Sequence, residues 1–352
     1  MHGPIAFTRR HALAIGLGLA LTGAGLGSTA AHADYLVREI GSFHVGGRQV
    51  VLSGLPSKEI SFTAGMAPIK VDPNGEFEAE QMYVQYVKLA APKAKVPILF
   101  WHGGGLTGVT WETKPDGQPG WQQFFLAHGY DTYVSDAVER GRASWARYPE
   151  IYKSEPFFRP KKEAWELFRI GPSYEVGGKR VAFEGTQFPV EAFDQFTKQA
   201  VPRWATNDVA TQAAYDALVQ KVCPCIIVVH SQAGNFGFRA ALNAPDKVKA
   251  LVTVEPAGAP DPAKTDISGI KGVPHLIVFG DHIQDVKPWP TFIKASQAYY
   301  AAMKAAGVDA TWLDLPAEGI HGNTHMMMMD RNSDVIAERI NQWLIGHGLA
   351  TP

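Results

Sequence analysis

The sequence predicts an α/β fold in which a mainly parallel central sheet is covered by helices on both faces. Three observations predict it: the chain has 352 residues, its strand-like runs are continuously apolar, and helix-like segments alternate with them. Continuous apolar runs are typical of strands buried on both faces, and alternation with helices is typical of parallel sheets. Since 46% of the residues are hydrophobic and 19% are charged, the chain can bury a large core.

The first strands are expected to be antiparallel, because residues 35–53 and 81–88 alternate apolar and polar side chains. The apolar runs expected to form parallel strands are residues 96–101, 130–135, 226–230, 250–254, 275–279 and 311–315. The helices that alternate with them are expected at residues 121–128, 235–243, 292–306 and 334–344. This alternation gives each pair of parallel strands a covering helix.

Residues 145–215 interrupt the alternation of strands and helices. They are rich in aromatic residues, proline, lysine and glutamate, and they contain no clear buried strand. An insertion of this size, directly before a strand that ends at a candidate nucleophile, predicts a cap over the functional site. A set of ordinary surface helices is the alternative interpretation.

Residues 1–33 are predicted to be a cleaved export signal. The pair Arg9-Arg10 precedes an apolar stretch at residues 14–24, and Ala31-His32-Ala33 has the small-x-small pattern of a cleavage site. The arginine pair resembles a twin-arginine signal, with an ordinary secretory signal as the alternative. Because the apolar stretch is too short to span a bilayer, we expect a periplasmic or secreted chain, residues 34–352, without a membrane span.

Charge and cysteine content limit the partners further. The formal net charge of −1 argues against nucleic acid as a partner. Cys223 and Cys225 flank Pro224, so they either pair in an oxidising compartment or stay free because so small a ring is strained. A C-x-C pair is too sparse for a zinc site, and no metal is expected.

The candidate nucleophile is Ser231, which follows an apolar run and precedes a helix-like segment. A serine at a sharp turn between a strand and a helix projects from the backbone toward the free amides of the helix. Val229 and Ala233 occupy the glycine positions of the G-x-S-x-G pattern, although Gly234 follows. A serine that merely caps a helix is the alternative.

A glycine loop, His102-Gly103-Gly104-Gly105, follows an earlier apolar run. Acyl transfer builds negative charge on a carbonyl oxygen, and backbone amides that already point at this oxygen stabilise the charge. In a loop of the H-G-G-G type, the amide of Gly104 would serve as one donor. The amide of Gln232, the residue after the nucleophile, would serve as the other.

The general base is expected in the loop before the last helix, where His321 and His325 compete. His325 lies nearer to the helix and opens the run Met326-Met327-Met328-Met329, whereas His321 lies in a glycine-rich stretch that favours a solvated side chain. His325 is therefore the preferred base. The methionines would either line an apolar acyl pocket or pack in the core.

The acid that orients the histidine has three candidates, each placed after a predicted strand. Glu255 follows the run 250–254, whereas Asp281 and Asp285 follow the run 275–279. A carboxylate at such a position can also cap a helix or lie in a solvated loop. The residues by themselves leave these three alternatives open.

Several motifs occur in this order between residues 95 and 345. They are His102-Gly103-Gly104-Gly105-Leu106-Thr107-Gly108, Trp111-Glu112-Thr113, Asp136 with Arg140-Gly141-Arg142, His230-Ser231-Gln232-Ala233-Gly234, Val254-Glu255-Pro256 and Gly322-Asn323-Thr324-His325-Met326-Met327-Met328. The set resembles a small family of secreted bacterial esterases within the α/β-hydrolase superfamily. The resemblance implies the α/β-hydrolase fold, a Ser231-Glu255-His325 triad and no metal or organic cofactor. Relatives can carry adjacent cysteines where this chain has Gly104 and Gly105, so only the backbone amides of that loop carry over.

The resulting hypothesis is an exported serine carboxylic-ester hydrolase that acts through an acyl-enzyme on small or medium esters. The same fold also supports lactone or amide hydrolysis and acyl transfer, and a non-catalytic binding protein is a further alternative. A homodimer is possible on the sequence. Its interface would be formed by four apolar side chains that could equally belong to the core, those of Trp289, Phe292, Tyr299 and Tyr300.

Overall fold

The computed structural model describes residues 34–352, so the predicted export signal at residues 1–33 lies outside the described part. Its strands are β1 (Val37–Leu52), β2 (Lys58–Ile60), β3 (Ile69–Val71), β4 (Gly75–Leu89), β5 (Ile98–Trp101), β6 (Thr132–Asp136), β7 (Ser173–Tyr174), β8 (Arg180–Val181), β9 (Cys225–His230), β10 (Val248–Val254), β11 (His275–Phe279) and β12 (Ala310–Asp314). Its α-helices are α1 (Val109–Glu112), α2 (Trp121–Ala127), α3 (Lys161–Leu167), α4 (Phe193–Thr197), α5 (Asp208–Val222), α6 (Ala233–Asn243), α7 (Trp289–Ala305) and α8 (Ser333–Gly346).

Eight strands form one central sheet in the order β1-β4-β6-β5-β9-β10-β11-β12. The pairs β1–β4 and β4–β6 are antiparallel, whereas the other neighbours in the sheet, from β6 through β5, β9, β10 and β11 to β12, are parallel. The long β1–β4 pair has the alternating exposure that the sequence predicts for a half-buried antiparallel ribbon. The predicted mainly parallel α/β sheet is therefore confirmed.

Successive residues of the parallel strands point into two different cores. In β9, Ile227 and Val229 pack with α5, α6 and α7, whereas Ile226 and Val228 pack with α2 and α8 on the other face. Both sets of side chains are fully buried, which explains why the sequence of this strand is continuously apolar rather than alternating.

The segment between β6 and α5, residues 137–207, is called the insertion below. It contains α3, α4 and the two-stranded β7–β8 ribbon. The predicted cap at residues 145–215 also takes in the first turns of α5, which packs against β1, β4 and α6. The insertion thus ends where the chain returns to the sheet at Asp208.

The aromatic side chains considered for a dimer lie in or against the core of this chain. Trp289 and Tyr299 are buried, and Phe292 and Tyr300 pack partly buried against the same cluster. A homodimer through these residues stays a prediction. A disulfide joins Cys223 to Cys225, the first residue of β9. Of the helices described between residues 34 and 352, none combines the length and apolar character that crossing a membrane requires.

Candidate active site

Ser231 lies at the sharp turn between β9 and α6. Its φ of 56° is in the left-handed region, which is unfavourable for a residue other than glycine. Backbone hydrogen bonds hold the turn: the Ser231 amide donates to Val254 O at 3.0 Å, and the Ser231 carbonyl accepts from Gly234 and Ala257 at 2.9 and 3.0 Å. This is the strand–turn–helix setting in which a serine hydroxyl is presented at the edge of a sheet.

The glycines around this turn allow three loops to approach one another. A Cβ on Gly234 would lie 2.5 Å from Pro256 Cβ, in the loop that follows β10. A Cβ on Gly103 would lie 2.9 Å from Ser231 Cβ and 2.8 Å from His230 Nδ1. Because such separations are shorter than van der Waals contact, any side chain at Gly103 would displace the serine turn.

His102 shapes the glycine loop and is held in one neutral tautomer. The Ala137 amide donates to His102 Nε2 at 3.0 Å, so the ring proton is on Nδ1, which donates to Gly103 O at 2.8 Å. Burial lowers the pKa of His102 to about 4. The histidine of this motif therefore fixes the loop backbone.

The amides of Gly104 and Gln232 both lie beside Ser231. Both residues line the same cavity as the serine, and neither amide donates a hydrogen bond to another residue of the described chain, 34–352. The Gln232 amide belongs to the first turn before α6, where the helix dipole favours negative charge. The arrangement can accept an oxyanion.

The motif residues Asp136 and Arg142 support the glycine loop from behind. Asp136 Oδ1 accepts from the Gly108 amide at 2.7 Å, and Asp136 Oδ2 accepts from Arg142 Nε at 2.7 Å. Arg142 Nη2 in turn lies 3.1 Å from a carboxylate oxygen of Glu112. These residues fix the end of the loop through hydrogen bonds and an ion pair.

Glu255 and His325 form a buried pair at the same edge of the sheet. Glu255 directly follows β10 with a φ of 46°, and its Oε2 lies 2.7 Å from His325 Nδ1. The side chains of both residues are at most 1% exposed. Because Nδ1 faces the carboxylate, Nε2 of His325 is the ring nitrogen left for a reacting group. His325 and Ser231 line the same cavity.

The histidine is fixed by backbone contacts and by aromatic rings. His325 N donates to Phe168 O at 2.9 Å, and His230 Nε2 donates to His325 O at 2.8 Å. The rings of Phe168 and Trp289 lie 5.3 and 4.2 Å from the imidazole between centroids. Burial, followed by the nearby charges of Arg169 and Arg159, holds the pKa of His325 well below its ordinary value.

The other candidates for base and acid lie together at the surface. The side chain of His321 is 66% exposed, and its Nδ1 is 3.4 Å from Asp281 Oδ2. Asp285 Oδ2 lies 2.9 Å from His282 Nδ1, and its side chain is 56% exposed. The structure therefore joins Glu255 with His325, and it pairs the exposed His321 with the half-buried Asp281 and the exposed Asp285 with the half-buried His282.

Arg169 of the insertion is a buried partner of Glu255 that sequence reasoning did not find. Its Nη2 donates to Glu255 Oε1, its Nε donates to Asp281 O at 2.7 Å, and its guanidinium lies 4.5 Å from the centre of a Trp289 ring. Glu255 Oε1 also accepts from the Gly280 amide at 2.8 Å. The arginine lies in a segment whose sequence has no helix or strand periodicity. Its apolar neighbours Phe168 and Ile170 are the one local hint that its side chain is buried.

The loop that carries His325 is anchored by Asp330. The Thr324 amide and the Thr324 hydroxyl each donate to this carboxyl group at 2.8 Å, and Asn323 Nδ2 donates at 3.0 Å. Burial raises the pKa of Asp330 to about 7. The methionines at 326–329 are fully buried in the core beside α8, so they pack in the core and do not line the cavity.

The cavity that contains Ser231 and His325 has a volume of about 360 Å³. The insertion supplies one side of its wall, and Trp289 and Phe292 of α7 supply an apolar side. A larger cleft of about 630 Å³ also borders Glu163 and Leu167 of the insertion, but neither Ser231 nor His325 lines it. We therefore place the candidate site in the smaller cavity, which Ser231 and His325 both line.

The fold is that of an α/β hydrolase, and Ser231 and His325 line one cavity at the carboxyl edge of its sheet. No family model matches the chain. A fungal protein described as "probable secreted lipase phiG" is 30% identical over 325 residues, which cover 77% of this chain and 87% of the lipase. A solved structure described as that of a novel bacterial esterase is 37% identical, has a TM-score of 0.76, and the match covers 90% of this chain and 98% of that chain. The chain belongs to the esterases of the α/β-hydrolase superfamily.

Proposed function

We propose that this chain is an exported serine esterase that hydrolyses small or medium carboxylic esters through an acyl-enzyme. The proposal is supported mainly by one observation: Ser231 opens into the same cavity as a histidine whose Nδ1 is 2.7 Å from a buried carboxylate. The membership in an esterase family agrees with it, and the cavity volume of about 360 Å³ favours a substrate of modest size.

In the first half of the reaction, His325 Nε2 takes the proton of the Ser231 hydroxyl while Oγ forms a bond to the ester carbonyl carbon. The carbonyl oxygen becomes an oxyanion, which accepts hydrogen bonds from the amides of Gly104 and Gln232. The tetrahedral intermediate then breaks its bond to the alcohol oxygen. That oxygen takes the proton from the His325 imidazolium, and the alcohol leaves.

In the second half, water replaces the alcohol. His325 Nε2 takes a proton from the water as its oxygen bonds to the acyl carbon, and the second oxyanion uses the same two amides. The acyl–Oγ bond then breaks, Ser231 Oγ recovers its proton from His325, and the carboxylic acid is released. Glu255 keeps the ring in the correct tautomer and stabilises the imidazolium at both stages.

Arg169 is a positioning residue in this mechanism. It binds the Glu255 oxygen that does not face His325, together with the Gly280 amide. A carboxylate fixed at both oxygens cannot rotate away from the imidazole, so its orientation is set before substrate binds.

Export is the part of the proposal that depends on the sequence of residues 1–33. A twin-arginine signal would deliver the folded chain to the periplasm or the medium. The relative described as a secreted lipase is consistent with this location.

The decisive experiment combines covalent labelling with a substrate panel. The mature chain, residues 34–352, would be treated with a fluorophosphonate and analysed by intact mass and peptide mapping. We expect one adduct, on Ser231, and we expect Ser231→Ala to remain unlabelled and to lose at least about 10⁴-fold in kcat for esters.

The same panel tests the alternatives. Faster turnover of amides or lactones than of matched esters would replace the esterase assignment with another hydrolase reaction. Transfer of the acyl group to an added alcohol in preference to water would indicate an acyltransferase. A folded protein that neither labels nor turns over any ester would be a binding protein on this fold.

A further inference from the structure

Two arginines of the insertion, Arg159 and Arg203, line the cavity that contains Ser231. We propose that they form a subsite for a carboxylate carried by the ester substrate itself. The preferred substrates are then esters with a second, negatively charged end, such as hemiesters of short dicarboxylic acids or acyl esters of short hydroxy acids. This inference rests on the proposed esterase function and adds a substrate class to it.

Arg203 is held beside the glycine loop, and no carboxylate of the described chain lies within salt-bridge distance of it. Its backbone pairs with Phe157, with hydrogen bonds of 2.9 and 2.7 Å between the two residues. A Cβ on Gly104 would lie 2.9 Å from Arg203 Nη1, so the guanidinium is next to the proposed oxyanion donor. Within residues 34–352 the Arg203 side chain forms no salt bridge, and its buried Nε has no hydrogen-bond acceptor. Arg203 is half-buried, so its charge is partly removed from water, and an incoming anion would offset that cost.

Arg159 lines the same cavity and lies just before α3 of the insertion. Its guanidinium lies over the Phe168 ring at 5.3 Å, its Nη1 pairs with Glu163, and its buried Nε has no acceptor in the described chain. Burial lowers the pKa of both arginines, and the charge of Arg203 lowers that of Arg159 further. Since both residues line one cavity, their like charges add to the positive potential inside it.

The charges around the cavity leave an excess of positive charge. Glu163 is the carboxylate that lines the cavity beside the arginines, and it already pairs with Arg159. The Asp208 carboxylate accepts from Gln232 Nε2 at 3.1 Å. Glu255 is engaged by Arg169 and His325. The charge of Asp208 partly offsets the lowering of the Arg203 pKa, but no carboxylate within residues 34–352 forms a salt bridge with Arg203.

The chemistry and the size of the cavity favour a carboxylate on a short chain as the anion. Arginine prefers planar carboxylates that it can bind through two parallel hydrogen bonds. Leu167, Trp289 and Phe292 line the same cavity and supply apolar wall that fits a short hydrocarbon chain. Because the cavity is only about 360 Å³, the anion and the ester bond must belong to one small molecule.

The test compares charged and neutral esters of matched size. Hydrolysis of monomethyl glutarate would be followed by pH-stat against methyl glutaramate, whose carboxamide is the neutral isostere. A second pair, 4-acetoxybutanoate and its amide, places the charge on the alcohol side. We expect the wild-type chain to favour the carboxylate member of at least one pair by about tenfold or more in kcat/KM.

Variants assign this preference to the arginines. Arg203→Met should reduce the carboxylate preference by about tenfold or more, mainly through KM, and Arg203→Lys should retain part of it. Arg159→Met should act in the same direction. Arg239→Met is the matched control, because Arg239 is exposed on α6 and does not line the cavity. It should leave the preference as it is in the wild type.

Several results would overturn the subsite. They are equal kcat/KM for both members of each pair, a preference that survives in Arg203→Met, or an equal loss of kcat on charged and neutral esters, which would assign Arg203 to the oxyanion. A stronger preference for a phosphate-bearing ester would replace the carboxylate by another anion. If Arg203→Met does not fold by circular dichroism, competitive inhibition of the wild type by glutarate against glutaramide decides, and equal inhibition would contradict the subsite.

Failure of the subsite is distinguishable from failure of the esterase proposal. If neutral esters are hydrolysed and Ser231 is labelled, but charge brings no preference, only the subsite is wrong. If no ester is hydrolysed and Ser231 does not label, the esterase proposal itself is wrong.

Discussion

The loops at the carboxyl edge of the sheet and the insertion both contribute to the cavity, but they do so in different ways. The strand-end loops place Ser231, Glu255 and the Gly104 amide within a residue or a few residues of a parallel strand. The insertion places Arg159, Arg169 and Arg203 through short helices and irregular segments. One region contributes the proposed reacting groups, and the other contributes charged side chains around them.

The strand-end loops are therefore proposed to carry out the reaction, and the insertion to adjust its pH range and substrate preference. Parallel strands end at a common edge, so residues that directly follow them are brought together by the sheet alone. The insertion is not built on parallel strands that end at one edge. Its arginines reach the site because their side chains are long and the surrounding segments pack over the sheet edge. Changes in the first region should abolish the reaction, whereas changes in the second should alter its pH range and its preference for substrates.

The largest effect is expected at the strand-end carboxylate. Glu255→Gln should reduce kcat by about 10³- to 10⁴-fold, because the amide no longer stabilises the imidazolium or its correct tautomer. Steady-state kinetics on a neutral ester measures the loss. Asp281→Asn is the matched control, since it removes the carboxylate beside His321 and should cost less than about tenfold. The reverse order of these two effects would move the acid to Asp281.

A smaller effect is expected where the glycine loop touches the serine turn. Gly103→Ala places a methyl group 2.9 Å from Ser231 Cβ and should lower kcat/KM by about 10²-fold through misplacement of the nucleophile. Gly269→Ala is the control, because a Cβ there meets no atom within 4 Å. Unchanged activity of Gly103→Ala in a folded protein would mean that this approach is not needed for catalysis.

The smallest change in rate, but a distinct change in pH dependence, is expected in the insertion. His325 must be neutral to accept a proton, and its lowered pKa places the acidic limb of the wild-type kcat/KM profile below about pH 6.5. Arg169→Met removes a nearby positive charge, so the pKa of His325 rises and the limb moves to higher pH. Near pH 8 the loss should be about tenfold.

Arg169→Lys separates positioning from simple stability. It keeps a positive charge beside Glu255 and should restore part of the wild-type pH profile, whereas thermal unfolding reports the stability of both variants. A profile of Arg169→Met that superimposes on the wild type would contradict the coupling of the insertion to the histidine.

The sequence was most informative where local chemistry and strand periodicity coincide. The apolar run before Ser231 predicted both the strand and the turn, and the run before Glu255 predicted the strand end that carries it. The H-G-G-G pattern predicted the glycine loop next to the serine. By contrast, the residues alone preferred His325 to His321 but left Glu255 against Asp281 and Asp285, because each carboxylate follows a strand and nothing local distinguishes the three.

The sequence by itself determined the parallel sheet, the position of the serine turn and the glycine loop, because each depends on periodicity or on backbone conformation within a few residues. Tertiary structure decided three further points: that Glu255 faces His325, which the family resemblance alone had implied, that Arg169 supports this pair, and that Arg203 lines the cavity without a salt bridge in the described chain. Glu255 and His325 are 70 positions apart in the sequence, and Arg169 and Glu255 are 86 positions apart. Burial and long-range packing set them, and no local pattern records either.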